Sequence, residues 1–239
     1  MSGNVYEGMF HGGKPDGQGK LRKVDGDSYE GAFRRGRAHG VGKLTKANGL
    51  IYEGLFDEGE PHGQGKVTYN FKESGENQDE SNPIMSILDY FQVVDRKFEG
   101  SGDYEGMFHR GRQQGEGKTT YPNGNTHEGL YEKGEPHGLG KLTLPDGIIY
   151  EGMFDSGKPH GQGKMAAYHF VHEGAFQAGK PHGPGKLTFA TGNVYEGMFE
   201  AGKAHGEGKT THPSGDVHEG MYEGGSPVDF GLYVYSDEG

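Results

Sequence analysis

Tyr6-Glu7-Gly8-Met9-Phe10, followed by Gly17-Gln18-Gly19-Lys20-Leu21, decides the fold. The pattern restarts at Tyr29, Tyr52, Tyr104, His127, Tyr150, His172, Tyr195 and His218, and six of the eight steps are 23 residues. Self-similarity at a fixed period of this size is the signature of a repeat array. Within one unit Tyr6, Gly8 and Phe10 alternate with Glu7 and Met9, a period of two and so a strand. Gly12-Gly13-Lys14-Pro15-Asp16 reads as a loop. Gly19, Leu21 and Lys23 then alternate with Lys20 and Arg22 in a second strand. Asp25-Gly26 follows, and sister units write it Asn48-Gly49, Asn123-Gly124, Asp146-Gly147 and Ser214-Gly215. Such pairs supply the positive φ angles of a tight hairpin turn.

The spacing suggests a register in which Phe10 faces Gly19, Gly8 faces Leu21, and Tyr6 faces Lys23. Each glycine would then make room for a large side chain across the ladder. The other side of the sheet sets Glu7 against Lys20. Nine units keep the glutamate and eight the lysine. Opposite charges on one sheet face contribute about 0.2–1 kcal/mol per pair, and this side reads as a solvated face.

Composition agrees with a thin fold. Glycine makes up 48 of 239 residues, hydrophobic residues are 30%, and Trp and Cys are absent. Disulfides and thiolate metal sites are therefore excluded. The net charge is −11. Residues 70–103 hold eight acids against three bases, and residues 223–239 hold four acids and no base. The repeats themselves are close to neutral, and nothing supplies the basic footprint of a nucleic-acid or anionic-membrane binder. No apolar run approaches a membrane span and Met1–Asn4 starts no apolar leader, so a soluble, cytoplasmic protein is expected.

The run Tyr-Glu-Gly-x-Phe-x-x-Gly-x-x-His-Gly-x-Gly, as written from Tyr195 to Gly208, resembles the membrane occupation and recognition nexus (MORN) repeat. The resemblance covers nearly the whole chain outside residues 70–103. It implies an all-β fold: an elongated, curved, single-layer antiparallel sheet of stacked β-hairpins, with aromatic residues lining a concave groove. Residues 1–69 would hold repeats one to three and residues 104–239 repeats four to nine, the last of them degraded into a cap. The partner-binding groove would be lined by Tyr6, Phe10, Tyr29, Phe33, Tyr52, Phe56, Tyr104, Phe108, Tyr150, Phe154, Tyr195 and Phe199.

Repeat four starts 52 residues after repeat three. The acidic insert at 70–103 opens with a polar run, then carries Asn82-Pro83 and an apolar pattern at Ile84, Ile87, Leu88 and Phe91. Pro at a first helical position and spacings of three, four and seven predict a short amphipathic helix over 83–94. That segment is expected to plug the groove, to dock a partner or a second copy, or to remain an unattached flexible loop. Repeat six is one residue short and carries Ala167-Tyr168-His169-Phe170 in its turn, which predicts a local kink.

Several motifs imitate chemistry. Gly152–Lys158 satisfies part of a phosphate-binding loop, but Pro159 follows where Ser or Thr is needed, and the match recurs with the repeat. The histidines of the His-Gly dipeptides (His39, His62, His137, His160, His182, His205) recur once per repeat, about 10 Å apart along the array. A metal needs ligands that converge on one centre, so hydrogen bonds in the turns are the expected role. His127, His172 and His218 replace the first Tyr and are expected to stack in the groove. No nucleophile, base and orienter come together. The sequence predicts no enzyme, no cofactor and no metal site. A scaffold that binds other proteins is expected, with a homodimer through the last strand left open, in a cilium, flagellum or other cytoskeletal assembly. A membrane or phosphoinositide adaptor and a regulatory module for a separate enzyme are the alternatives.

Overall fold

The computed structural model describes residues 3–69 and 102–235. They form two compact units. The first contains β1 (Val5–His11), β2 (Lys14–Arg22), β3 (Ser28–Arg34), β4 (Arg37–Thr45), β5 (Leu50–Asp57), β6 (Glu60–Tyr69), β7 (Asp103–His109) and β8 (Arg112–Thr120). The second contains β10 (Glu135–Thr143), β11 (Ile149–Asp155), β12 (Lys158–Ala167), β13 (Phe170–Gln177), β14 (Lys180–Phe189), β15 (Val194–Glu200), β16 (Lys203–Thr211), β17 (Val217–Glu223) and β18 (Ser226–Val234). The division falls within β9 (Thr126–Glu132). In each unit every strand pairs antiparallel with the next along the chain. The fold is thus all-β, an open antiparallel sheet of consecutive hairpins, as the 23-residue period predicts.

On the ring face the register differs from the expected one by two residues, while the expected pairing of Glu7 with Lys20 is present. Tyr6 faces Leu21, Glu7 faces Lys20, Gly8 faces Gly19, and Phe10 faces Pro15. The same pairs recur in β11 and β12 as Tyr150–Met165, Glu151–Lys164, Gly152–Gly163 and Phe154–Pro159. Glycine therefore faces glycine. The physical reason is the tyrosine ring, which lies along its own hairpin and covers the glycine pair. A Cβ built on Gly152 would meet Gly163 Cα at 2.6 Å and the Tyr150 hydroxyl at 2.5 Å.

The turns also exchange roles. Inside each hairpin the strands join through two residues, both with positive φ, such as Arg35 (φ 52°) with Gly36 (φ 86°) and Ser156 (φ 49°) with Gly157 (φ 77°). That is the tight turn whose twist matches paired strands. The Asp-Gly and Asn-Gly dipeptides instead close longer turns between repeats, in which Gly26 N–H donates to Lys23 O and Lys23 N–H to Asp27 O. Pro15 and Asp16, expected in a loop, belong to β2. A bulge opposite Gly8–Phe10 lets proline sit there, at the second strand residue, without spending a ladder donor. Its carbonyl accepts from Gly36 N–H in the next hairpin's turn at 2.8 Å.

The insert interrupts the chain without disturbing the ladder. β6 and β7 pair in the standard register, Lys66 with Glu105 and Val67 with Tyr104. The helix expected over 83–94, with Ile84, Ile87, Leu88 and Phe91, lies outside the described residues. In repeat six the missing residue is absorbed by a two-residue turn at Tyr168-His169, and β12 pairs with β13 without a bulge.

Candidate functional site

One face of each sheet is built of rings. In the first unit the contacts run Tyr6–Phe33, Tyr29–Phe33, Tyr29–Phe56, Tyr52–Phe56, Tyr52–Phe108 and Tyr104–Phe108, each edge-on with centroids 4.9–5.1 Å apart. In the second unit they run Tyr150–Phe154, Tyr150–Phe176, His172–Phe176, His172–Phe199 and Tyr195–Phe199 at 4.7–5.2 Å. Phe33, Phe56, Phe108, Phe154, Phe176 and Phe199 are each held between the ring of their own repeat and that of the repeat before. Such pairs are worth about 0.5–1.5 kcal/mol each beyond their buried area. The tyrosine hydroxyls are satisfied locally: Tyr52 donates to Leu55 O at 2.7 Å and Tyr150 to Met153 O at 2.8 Å. Burial pushes the Tyr29, Tyr52, Tyr104 and Tyr195 phenols up to about 12.

Of the twelve groove residues named from the sequence, ten are buried here, Tyr6 is half-buried, and Phe10 is 61% exposed. The structure does bring them together, row by row, and fills the row with their own packing. Tyr29 to Phe108 lie in one core and Tyr150 to Phe199 in the other.

The histidine repeats change this row. His127 and His172 are fully buried, and burial depresses both to about 4. In repeats five and nine the ring four residues later is tyrosine, and the repeat before carries threonine where Leu, Val or Met is usual. Thr119 and Tyr131 share a hydroxyl hydrogen bond of 2.7 Å. In the second unit Thr210 bonds to the Tyr222 hydroxyl at 2.7 Å, and that hydroxyl lies 2.8 Å from His218 Nδ1. The sequence reading missed these polar inserts. Their signal was Lys-Thr-Thr preceding each His-Glu-Gly-x-Tyr.

The opposite face is open. Its outer row is a charge ladder in which lysine reaches forward to the glutamate of the next repeat: Lys20–Glu30 and Lys141–Glu151 at 2.7 Å, and Lys43–Glu53 at 2.6 Å. The ladder links repeats rather than closing hairpins. A second row pairs histidine with a carboxylate, His39 with Asp57 at 3.3 Å, His137 with Asp155 at 3.5 Å and His205 with Glu200 at 3.4 Å. These histidines sit in strands, not in turns as expected from the His-Gly dipeptides.

Between the two rows runs an apolar stripe. In the first unit Val41, 70% exposed, faces Leu55, 40% exposed, across the ladder, and Met107 continues it. In the second unit Leu139 faces Met153, Pro184 faces Met198, and Glu207 faces Met221. A shallow recess of about 500 Å³ opens beside Met221, among Glu196, Glu207, Lys209 and Glu219. The stripe was absent from the sequence reading, although the fourth residue of each repeat is Met, Leu or Ala throughout. Alternation alone places that residue beside the glutamate. Among the described residues no group of three or more His, Cys, Asp or Glu side chains could hold a metal ion.

The MORN repeat profile matches residues 6–28, 29–51, 52–70, 104–126, 127–149, 150–166, 172–194 and 195–217. The ninth hairpin, beyond those matches, keeps the pairs His218–Tyr233 and Gly220–Gly231 of its predecessors. No curated protein matches the chain. Among solved structures, the chain is similar to the SAS-4 (dCPAP) TCP domain in complex with a proline-rich motif of Ana2 (dSTIL) of Drosophila melanogaster. That likeness has 9% identity and a TM-score of 0.31, and covers 86% of this chain and 84% of the other. With eight profile matches spread over both of its units, the chain belongs to the MORN repeat family.

Proposed function

We propose that the protein is a non-enzymatic scaffold that holds segments of other proteins against the open face of its sheets. The observation that carries this reading is the exposed stripe. Val41, Leu55 and Met107 in the first unit, and Leu139, Met153, Met198 and Met221 in the second, are each 38–70% exposed, in each unit on the face opposite the closed ring row. Large apolar side chains set in a line and flanked by charged rows mark interaction surfaces, and methionine adapts to varied partners. Phe10 offers a smaller exposed patch on the ring face.

A native-cell proximity experiment tests it, comparing the intact chain with one in which Val41, Leu55, Met153 and Met198 become serine. Unchanged melting together with the loss of specific protein neighbours supports the scaffold. An unchanged neighbour set, or recovery of lipid-binding proteins alone, would overturn it. The ciliary or cytoskeletal setting rests on the repeat's resemblance, and localisation of the tagged chain tests it. Staining of an axonemal or cortical structure is expected, and diffuse staining contradicts that setting.

A further inference from the structure

The open face is not electrically uniform. On β3, β4 and β5 the exposed charges are Glu30, Glu53 and Asp57 against Arg34, Arg37 and Lys43, an even balance. On β15, β16 and β17, which occupy repeats eight and nine, the exposed carboxylates are Glu196, Glu200, Glu207, Glu219 and Glu223. Lys209 is the one exposed lysine on those three strands, and Lys203 is half-buried. Lys186 from β14 engages Glu196 at 2.9 Å, and His205 sits 3.4 Å from Glu200. Four carboxylates therefore remain without a lysine salt bridge among the described residues, around two exposed methionines, Met198 at 43% and Met221 at 47%.

We propose that this segment of the stripe docks a basic amphipathic helix from a partner protein. The inference rests on the scaffold reading and names the chemistry of its partner. Met198 and Met221 lie two strands apart, about 9.6 Å at the usual strand spacing. Seven residues of helix rise about 10.5 Å. A helix laid across the strands thus sets its residues i and i+7 over Met198 and Met221, and a basic residue at i+3 or i+4 over Glu207 on the strand between them. Its lysines or arginines then fall on both sides of the seam, toward Glu196 and Glu219 in one row and Glu200 and Glu223 in the other. The recess beside Met221 receives a side chain between Glu207 and Glu219. An anionic membrane meets the same carboxylates as repulsion, and an acidic helix does too.

The test uses the full chain and two synthetic helices of about 18 residues. Both have leucine at i and i+7; one has lysine elsewhere and the other glutamate. Affinity is read by calorimetry at two salt concentrations, and anionic phosphatidylserine vesicles serve as a third probe. The Leu/Lys helix is expected to bind, and added salt to weaken it. Met198→Ser with Met221→Ser is expected to lower affinity at least tenfold. Glu207→Gln with Glu219→Gln lowers it several-fold and flattens the salt dependence. Val24→Ser with Tyr168→Ser, both exposed and outside the stripe, leaves it unchanged. All these residues are exposed, so melting temperature checks that each variant folds. Equal binding of the Leu/Glu helix, vesicle binding at these residues, or affinity unchanged by the Met198 and Met221 changes overturns the inference. If neither helix binds while stripe variants still lose their cellular neighbours, the basic-helix inference falls and the scaffold reading stands. Failure of both experiments removes both.

Discussion

Met153 and Met165 belong to one hairpin, on β11 and β12, and have opposite fates. Met165 faces Tyr150 and is completely buried, whereas Met153 faces Leu139 and is 40% exposed. The same side chain is core on one face and surface on the other. Among the described residues the ring face becomes a core by turning aromatic rings flat over the sheet's own glycines. The other face has no such rings, and its apolar residues stay open. The difference teaches that the rings hold the array together, while on the other side apolar residues stay exposed among the charges; that side is the one proposed for partner contact.

The largest effect that separates the faces is expected from Phe154→Ala. Phe154 is 2% exposed and touches the rings of Tyr150 and His127. Denaturant unfolding should show a loss of about 4 kcal/mol. Gly152→Ala should cost about 3 kcal/mol, because its methyl group meets backbone at Gly163 as well as the Tyr150 hydroxyl. A cost within 0.5 kcal/mol at either position would break the comparison.

Acid should strike the ring face through its buried histidines. His172 titrates near 6.5 when unfolded and near 4 when folded, because burial disfavours its charged form. The unfolded chain therefore binds more protons between those values. Stability from the neutral ring is complete above pH 6.5 and is lost as pH falls toward 4, by about 3 kcal/mol. His172→Phe should flatten that part of the stability–pH curve. The smallest effects belong to the open face. Lys141→Ala, which removes an exposed ion pair to Glu151, should leave stability almost unchanged. Met153→Ser should stay within about 0.5 kcal/mol.

Much of the fold was legible in the sequence. Strand alternation in Tyr-Glu-Gly-Met-Phe and the glutamate–lysine rows follow from a period of two, and the structure has both. The register was not legible, because nothing in composition says that a tyrosine ring reaches along its own hairpin. Once Tyr6 covers Gly8 and Gly19, glycine must face glycine, and the ladder slips two residues from the spacing that sets glycine opposite leucine. The turns misled for a related reason. Asn-Gly is the stronger local signal, but the tight turns carry residues such as Arg35 and Ser156 in a left-handed conformation that their side chains do not advertise. The stripe was visible at the fourth residue of every repeat and was absorbed into a face read only for its charges.

Methionine oxidation of the folded chain, mapped residue by residue, tests the two-faced account most directly. Met9, Met107, Met153, Met198 and Met221 are 38–63% exposed, while Met165 is 0% exposed. Under dilute peroxide the five should oxidise together while Met165 stays reduced until the protein unfolds. Oxidation of Met165 at the rate of Met153 in the native state would contradict the closed ring face, and with it the assignment of partner contact to the other side.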